Sequence, residues 1–246
     1  MDENITPLLP NDTFRFSCTP DVPCFNECCR DLNQFLTPYD ILRLKNRLGL
    51  TSGLFLERYT AQHIGPESGL PIITLRANPG RELTCPFVTP TGCSVYEDRP
   101  SSCRAYPLVR VVTRSKATGR MNEQYLLLRE SHCLGFDQEQ VRTVAEWIEV
   151  QGLSIYNSMN DMLMEVISLK NRLRPGPLDS KARHLFYMAC YDLDAYRKNI
   201  FEKGISKDLN LTSDIIKKVE KDDEALLKLG LQWIKDTLFG NPKLDT

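Results

Sequence analysis

The chain lacks several features that mark whole classes of protein. It has no run of about 18 apolar residues, so we expect no membrane span and no membrane partner. Its formal net charge of −1 gives no general attraction to nucleic acid or anionic lipid. Residues 1–13 contain no basic segment followed by an apolar one, so we expect no secretory signal. These absences predict a cytoplasmic location.

Familiar catalytic motifs are missing as well. The sequence contains no GxGxxG, no phosphate-binding P-loop and no HExxH. Asp161, Glu165, Asp192 and Asp194 occur at spacings that any solvated helix would show, so none of them is assigned a general acid–base role. The catalytic residues are therefore unknown, and the sequence leaves open whether the protein is an enzyme.

Cysteine, in contrast, is abundant. The chain has nine cysteines, and eight of them fall within residues 18–133. These eight are Cys18, Cys24, Cys28, Cys29, Cys85, Cys93, Cys103 and Cys133. In a chain that stays in the cytosol, grouped thiols indicate metal ligands or redox groups rather than disulfides. The ninth, Cys190, follows an apolar helical stretch and is expected to be a small buried side chain.

The cysteine spacing predicts a metal but does not identify it. Thiolates are soft ligands that suit zinc or iron–sulfur clusters. The arrangement C-x5-C-x3-CC, then C-x7-C-x9-C, matches neither a zinc ribbon nor a ferredoxin. Side chains of adjacent residues diverge, so Cys28 and Cys29 are expected to serve different metals, or one a metal and the other the core. Eight thiols allow two tetrathiolate sites or one polynuclear cluster with spare ligands.

Positive charge follows the central cysteines. Seven basic residues and one acid, Glu123, lie between residues 99 and 129. The basic residues are Arg99, Arg104, Arg110, Arg114, Lys116, Arg120 and Arg129. Neighbouring cations lower thiol pKa values, so Arg99 and Arg104 are predicted to support the site from outside the ligand set. His132, beside Cys133, is a further candidate ligand or hydrogen-bond donor to sulfur.

The pattern of apolar residues predicts an α+β fold. Thr37-Pro38-Tyr39-Asp40 indicates a helix start, with Gly49 at its end. Short strands are expected at 72–75 and 83–88, and a hairpin at 108–113 and 123–129 with its turn at 116–119. Asp137 is predicted to cap a helix that stops at Gly152.

Helical spacing continues to the end of the chain. We therefore predict a cysteine-rich metal-binding core with short antiparallel strands at residues 14–150. A predominantly helical region at 151–246 packs on it, with a linker near 174–179; the two could also form one continuous domain.

The central motif resembles a known family. The segment Cys85-Pro-Phe, Gly92-Cys93-Ser-Val-Tyr96-Glu-Asp-Arg99-Pro100-Ser-Ser-Cys103-Arg104-Ala-Tyr106-Pro107 is similar to the signature of the YkgJ-type (CxxCxxCC) cysteine-cluster proteins. Cys18, Cys24 and Cys28-Cys29-Arg30 resemble the family's N-terminal element, here with wider spacing. The resemblance covers about residues 14–135 and implies a zinc- or iron-chelating protein, often labelled iron–sulfur.

Three functions follow as hypotheses. The first is an iron–sulfur protein, with a 4Fe-4S cluster or equivalent thiolate-bound iron or zinc and a redox or iron-dependent role. The second is a structural zinc module whose C-terminal helices bind a partner. The third, implied by similarity to flagellin lysine methylases, is an iron–sulfur protein methyltransferase. The expected partner is a protein or small molecule of unknown identity, and nucleic acid is not expected.

Overall fold

The computed structural model describes residues 4–30, 33–66, 68–80, 82–114, 121–202 and 211–240. Its contacts divide the chain into two compact units. The first, called the thiol unit, comprises residues 1–32 and 77–155, and the second, called the helical unit, comprises residues 33–76 and 156–246. The predicted domains at 14–150 and 151–246 stay predictions, because compactness does not test whether a segment folds alone.

The strands are short and antiparallel throughout. In chain order they are β1 Ile5–Leu8, β2 Thr13–Arg15, β3 Thr60–Ile64, β4 Pro71–Leu75, β5 Val88–Thr89, β6 Gly92–Cys93, β7 Leu108–Arg114, β8 Met121–Leu128 and β9 Val141–Thr143. β1, β8 and β7 form a three-stranded sheet in that order, and the other strands pair as β2 with β9, β3 with β4 and β5 with β6. The predicted hairpin is confirmed as β7 and β8, while its predicted turn at 116–119 lies outside the described residues.

The helices concentrate in the second half of the chain. They are α1 Pro38–Arg47, α2 Ser52–Tyr59, α3 Ser101–Ala105, α4 Val144–Val150, α5 Leu153–Leu173, α6 Ser180–Cys190, α7 Leu193–Glu202, α8 Ser213–Lys221 and α9 Asp223–Phe239. With the short antiparallel strand pairs, they confirm the predicted α+β class with a helical C-terminal region.

Two predicted elements were wrong. Asp137 does not begin a helix, because Val141–Thr143 pairs with Thr13–Arg15 and the helix α4 starts only after Thr143. Residues 83–88 do not form a strand, because Leu83 has a φ of 54° and only Thr84 bridges to Asn78. The first prediction failed because of strand pairing with a distant segment, and the second because of the backbone conformation at Leu83.

An aromatic core supports the thiol unit. Phe16 is 3% exposed and its ring meets those of Tyr106, Phe136 and Trp147 at centroid distances of 5.7, 5.3 and 5.6 Å. Edge-on contacts of this kind add specific geometry to the apolar burial. Phe16, Tyr106 and Phe136 are each within three residues of a predicted ligand, so the core directly orders the cysteine segments.

A capped first helix, an aromatic pair and a buried cysteine are features of the helical unit. The predicted α1 start is confirmed, because Thr37 and Asp40 form a capping box in which each side chain accepts from the other's backbone amide. Tyr39 and Tyr156 pack edge to face with ring centroids 4.9 Å apart. Cys190 is 0% exposed, which confirms its predicted burial. Among the described residues, no helix has the length and apolar character to cross a membrane.

Candidate metal centre

The segment that carries Cys18 is tied to the segment that carries Cys133. The Ser17 amide donates to Gly135 O at 3.0 Å, and the Phe16 amide donates to Gln140 O at 2.9 Å. This approach requires glycine, because a Cβ at position 135 would lie 2.6 Å from Phe16 Cε2 and 2.9 Å from Ser17 O. Residues over a hundred positions apart are thereby held side by side.

Cys24 and Cys133 are neighbours in the same arrangement. The Leu134 amide donates to Cys24 Sγ at 3.1 Å. Cys18 is exposed as a residue, but partial burial of its sulfur raises its pKa to about 11, and the nearby thiols of Cys28, Cys24 and Cys133 add to that rise. Four thiols from the two ends of the family-like segment therefore share one neighbourhood.

Cys28 and Cys29 lie in a short 3-10 helix, Glu27–Cys29. The turn into it is made by Asn26, whose left-handed φ of 71° is tolerated by asparagine. Asn26 Nδ2 donates to Thr89 O at 3.0 Å, and Cys29 O accepts from the Cys85 amide at 2.8 Å. These two bonds attach the Cys28–Cys29 pair to residues 85–103, called here the ligand loop.

The adjacent thiols are in mutual contact. A hydrogen bond from Cys29 lowers the pKa of Cys28 to about 7, and the same hydrogen bond raises the pKa of Cys29. Cys29 also has its pKa raised by Cys85 and Cys103. Cys28 also acts to raise the pKa of Cys18, Cys85 and Cys93, so its charge is felt both in the N-terminal cysteine segment and in the ligand loop.

The ligand loop is built around a tight hairpin. Val88 pairs with Cys93, and the Ser94 amide donates to Phe87 O at 2.9 Å. The hairpin turn uses Gly92, whose φ of +117° strains any other residue and whose missing side chain makes room for Phe25, 3.1 Å from the position of a Cβ. Cys85 and Cys93 consequently lie on neighbouring stretches of backbone.

Backbone amides point at several sulfurs. Cys85 Sγ accepts from the Phe87 amide at 3.5 Å, Cys93 accepts from Val95, and Cys133 accepts from Gly135. Burial raises the pKa of each of these thiols, and the amide two residues further along the chain acts to lower it. This repeated donation favours the anionic form that binds metal.

Arg99 and Arg104 are buried rather than solvated, each with 8% exposure. Arg99 donates to Tyr96 O at 2.5 Å and to Gln151 Oε1, and its Cζ lies 3.7 Å from the centre of the Tyr96 ring. Arg104 donates to Glu97 O at 2.5 Å and to Gln151 O at 2.6 Å. Arg99 also acts to lower the pKa of Cys93, while the supporting role of both arginines stays a prediction.

All eight predicted ligands belong to the thiol unit, and Cys190 does not. Cys18, Cys28 and Cys103 are exposed, and the other five are partly buried. Within the described ranges, no three His, Cys, Asp or Glu side chains are grouped so that they could hold one metal ion as they stand. Metal binding would need the thiols to lose protons and to adjust their rotamers, which commonly accompanies metal-coupled folding. Which of the eight bind metal stays a prediction.

His132 is not directed at a sulfur by any contact that the structure shows. Its Nε2 lies 3.7 Å from Glu130 Oε2, and its side chain is about half exposed. Its role as a ligand stays a prediction.

Two residues that contact the cysteines or the arginines were given no role from the sequence. Tyr106, a motif residue beside the Cys133 thiol, has its pKa raised by burial and then by that thiol. Gln151 receives hydrogen bonds from both arginines, although it lies 47 and 52 positions from them. The motif could have indicated Tyr106, whereas nothing in the local sequence marks Gln151.

Comparison with known proteins agrees with the resemblance seen in the sequence. Residues 17–134 match the model of the CxxCxxCC family, described as a "Putative zinc- or iron-chelating domain". No curated protein and no solved structure matches the chain. The matched range contains all eight grouped cysteines, whose soft thiol donors fit both zinc and iron. Residues 17–134 are therefore similar to a metal-chelating domain of the CxxCxxCC family, and the eight cysteines of this range all lie in the thiol unit.

Proposed function

We propose that the thiol unit holds an iron–sulfur cluster of the 4Fe-4S type and has a redox or iron-dependent role. The observation that supports this is the connected arrangement of the thiols, in which Cys28 neighbours Cys18, Cys29, Cys85 and Cys93. If all eight thiols bound zinc at isolated sites, they would form two separate groups of four. A polynuclear centre instead suits a single connected group of thiols.

The surroundings of the thiols suit an anionic centre. The ligands would be drawn from Cys18, Cys24, Cys28, Cys29, Cys85, Cys93, Cys103 and Cys133. When bound, such a cluster supplies one-electron transfer, with a potential set by net charge, hydrogen bonds to sulfur and exposure. The amides of Phe87, Val95 and Leu134 already donate to sulfur, and Arg99 adds positive charge near Cys93.

The exposure of the thiols is consistent with a redox role. Cys18, Cys28 and Cys103 reach the surface of the thiol unit, so an electron donor or acceptor could approach the centre directly. The partner in this proposal is a protein or small molecule that docks at these thiols.

A second function, a structural zinc module, is favoured by the two backbone connections. Cys24 is joined to the Cys133 segment through Leu134, while Cys29 is joined to Cys85. Cys28 and Cys29 would then contribute to different tetrathiolate sites. The methyltransferase hypothesis rests on the sequence resemblance alone.

Metal analysis of anaerobically purified protein tests the proposal. We expect brown protein containing iron and acid-labile sulfide, whose visible absorption bleaches on exposure to air. Reduction by dithionite with an electron paramagnetic resonance signal would support the redox role. Colourless protein with about two zinc ions per chain would instead support the structural zinc module.

A further inference from the structure

We propose that Gln151, which lies beyond the family-matched residues 17–134, is a positioning residue for the ligand loop. The inference rests on the proposed metal binding at this loop. It assigns to the chain after residue 134 a part in holding the thiols, through two arginines.

Gln151 is well placed for this role by its helix. It is the C-terminal cap of α4, and its amide donates to Trp147 O at 2.9 Å. The next residue, Gly152, has a φ of +60° and ends the helix. The carbonyl oxygen and the side chain of Gln151 are thereby left to accept hydrogen bonds from outside the helix.

Two arginines of the ligand-loop region use these acceptors. Gln151 Oε1 accepts from Arg99 Nη2, and Gln151 O accepts from Arg104 Nη1 at 2.6 Å. Each guanidinium also donates to the loop itself, Arg99 to Tyr96 O and Arg104 to Glu97 O, both at 2.5 Å. Because a guanidinium is a rigid planar fork, each arginine fixes the distance between the loop and Gln151.

The ligand loop has little regular secondary structure of its own, so contacts from outside the loop are needed to hold its cysteines in place. Cys93 ends the two-residue strand β6, and Cys103 lies in the five-residue helix α3. A second link holds the far end of α3, since Trp147 Nε1 donates to Ala105 O at 2.9 Å. The helix α4 thus contacts the cysteine-bearing segment at two points. Trp147 binds Ala105 O, and Gln151 binds Arg99 and Arg104.

The test compares metal release from Gln151→Ala, Gln151→Glu and Glu149→Ala. Each protein is purified anaerobically with the metal it carries, and metal loss into excess EDTA is followed with time. Removing a group that orients metal ligands typically costs about 10–100-fold in metal affinity, so Gln151→Ala should release metal faster by that order. Gln151→Glu keeps an acceptor for Arg99 but neutralises part of its charge, so it should release metal more slowly than Gln151→Ala and faster than wild type.

Glu149→Ala is the matched control, because Glu149 is an exposed residue of the same helix. It should leave the release rate unchanged. The far-ultraviolet circular dichroism of the metal-loaded proteins, recorded before EDTA is added, provides the second measurement. A positioning role predicts faster release from a Gln151→Ala protein with the wild-type spectrum, whereas an altered spectrum with wild-type release would show a structural role and overturn the inference.

The outcomes separate this inference from the proposed function. If wild-type protein carries no metal, the proposed function fails and the positioning role fails with it. If wild-type protein carries metal and Gln151→Ala releases it at the wild-type rate, only the role of Gln151 is overturned.

Discussion

The buried Lys45 of the helical unit and the buried Arg99 of the thiol unit have different kinds of partner. In the helical unit, Lys45 Nζ lies 2.7 Å from Asp223 and 3.7 Å from Asp194, and Arg197 pairs with the same two carboxylates. In the thiol unit, Arg99 donates instead to the neutral oxygens of Tyr96 and Gln151. Carboxylates neutralise a cation, whereas amide oxygens leave its charge to act on the surroundings.

This difference indicates what each buried cation does. The lysine and arginine of the helical unit are balanced locally, so their contribution is to the packing of α1, α7 and α9. The charge of Arg99 is directed toward thiols, where it acts to lower the pKa of Cys93. Changes in the helical unit should therefore alter stability, and changes in the thiol unit should also alter metal retention.

The largest effect is expected from removing a predicted ligand. Cys103→Ser should lose metal and more than about 4 kcal/mol of stability, because loss of a metal site is among the few changes that destabilise so strongly. Metal content and urea unfolding measure both quantities. Cys190→Ala, a cysteine of the helical unit, should keep its metal and lose about 1 kcal/mol, since it only removes a buried sulfur. Metal loss from Cys190→Ala would break the comparison.

Next in size is the buried ionic group. Asp223→Asn leaves Lys45 and Arg197 without one of their two carboxylates and should cost about 3–5 kcal/mol with metal content unchanged. Each unit has one tryptophan, Trp147 in the thiol unit and Trp233 in the helical unit. Replacing one of them by Phe leaves the fluorescence of the other to report the unfolding of its own unit. If Asp223→Asn lowers the stability reported by both tryptophans equally, the two units unfold together.

The same group gives a dependence on pH. Burial acts to raise the pKa of Asp223, but hydrogen bonds from Lys45 and Arg197 outweigh it and lower the pKa below the ordinary value of 3.8. A lowered pKa stabilises the fold above pH 3.8, and this stabilisation is lost as the pH falls through the folded-state value. Wild-type protein should lose this contribution on acidification below about pH 4, and Asp223→Asn should not.

Two close-packed glycines allow a matched test. A Cβ at Gly135 would lie 2.6 Å from Phe16 Cε2, and one at Gly230 would lie 2.4 Å from Ala189 O. Each change to alanine should cost about 1–3 kcal/mol through overpacking. Only Gly135→Ala should also weaken metal retention, because it separates the Cys133 segment from Ser17. Equal metal retention in the two variants would contradict that distinction.

The smallest effect is expected at two capping boxes, Thr37 with Asp40 and Thr143 with Glu146. Thr37→Ala and Thr143→Ala should each cost about 1 kcal/mol in urea unfolding. Thr143 caps the start of α4, and Gln151 caps its end. Fraying of this helix would displace Gln151, so only Thr143→Ala should release metal faster. Similar release rates would show that fraying of α4 does not reach the ligand loop.

The predictions that succeeded rested on local signals. The capping residues Thr37 and Asp40 are three positions apart, and the alternating residues of the hairpin lie on adjacent strands. The helix start at Asp137 failed because its true boundary depends on pairing between Val141–Thr143 and Thr13–Arg15, far apart in sequence. A capping box at Thr143 and Glu146 was nevertheless present as a local signal.

The candidate site also combines features that are visible along the chain with contacts between distant residues that are not. The grouping of cysteines led to the eight predicted ligands, and the charge beside them led to Arg99 and Arg104, because spacing and residue type are visible along the chain. Their mutual arrangement was not predictable, since it depends on bonds such as Cys85 to Cys29 and Leu134 to Cys24. The carbonyl partners of the arginines were missed for the same reason, as a charged residue does not reveal its acceptor.

The bond between Leu134 and Cys24 spans 110 residues, and this separation has a consequence during biosynthesis. At about 5–20 residues per second, the ribosome needs roughly 5–20 s to make the intervening chain. For that interval the first four thiols exist without Cys133, although Cys85, Cys93 and Cys103 are made earlier, and they are open to oxidation or to premature metal capture. A centre that includes Cys133 can be completed only after residue 133 of the 246 has been made, whichever metal it holds.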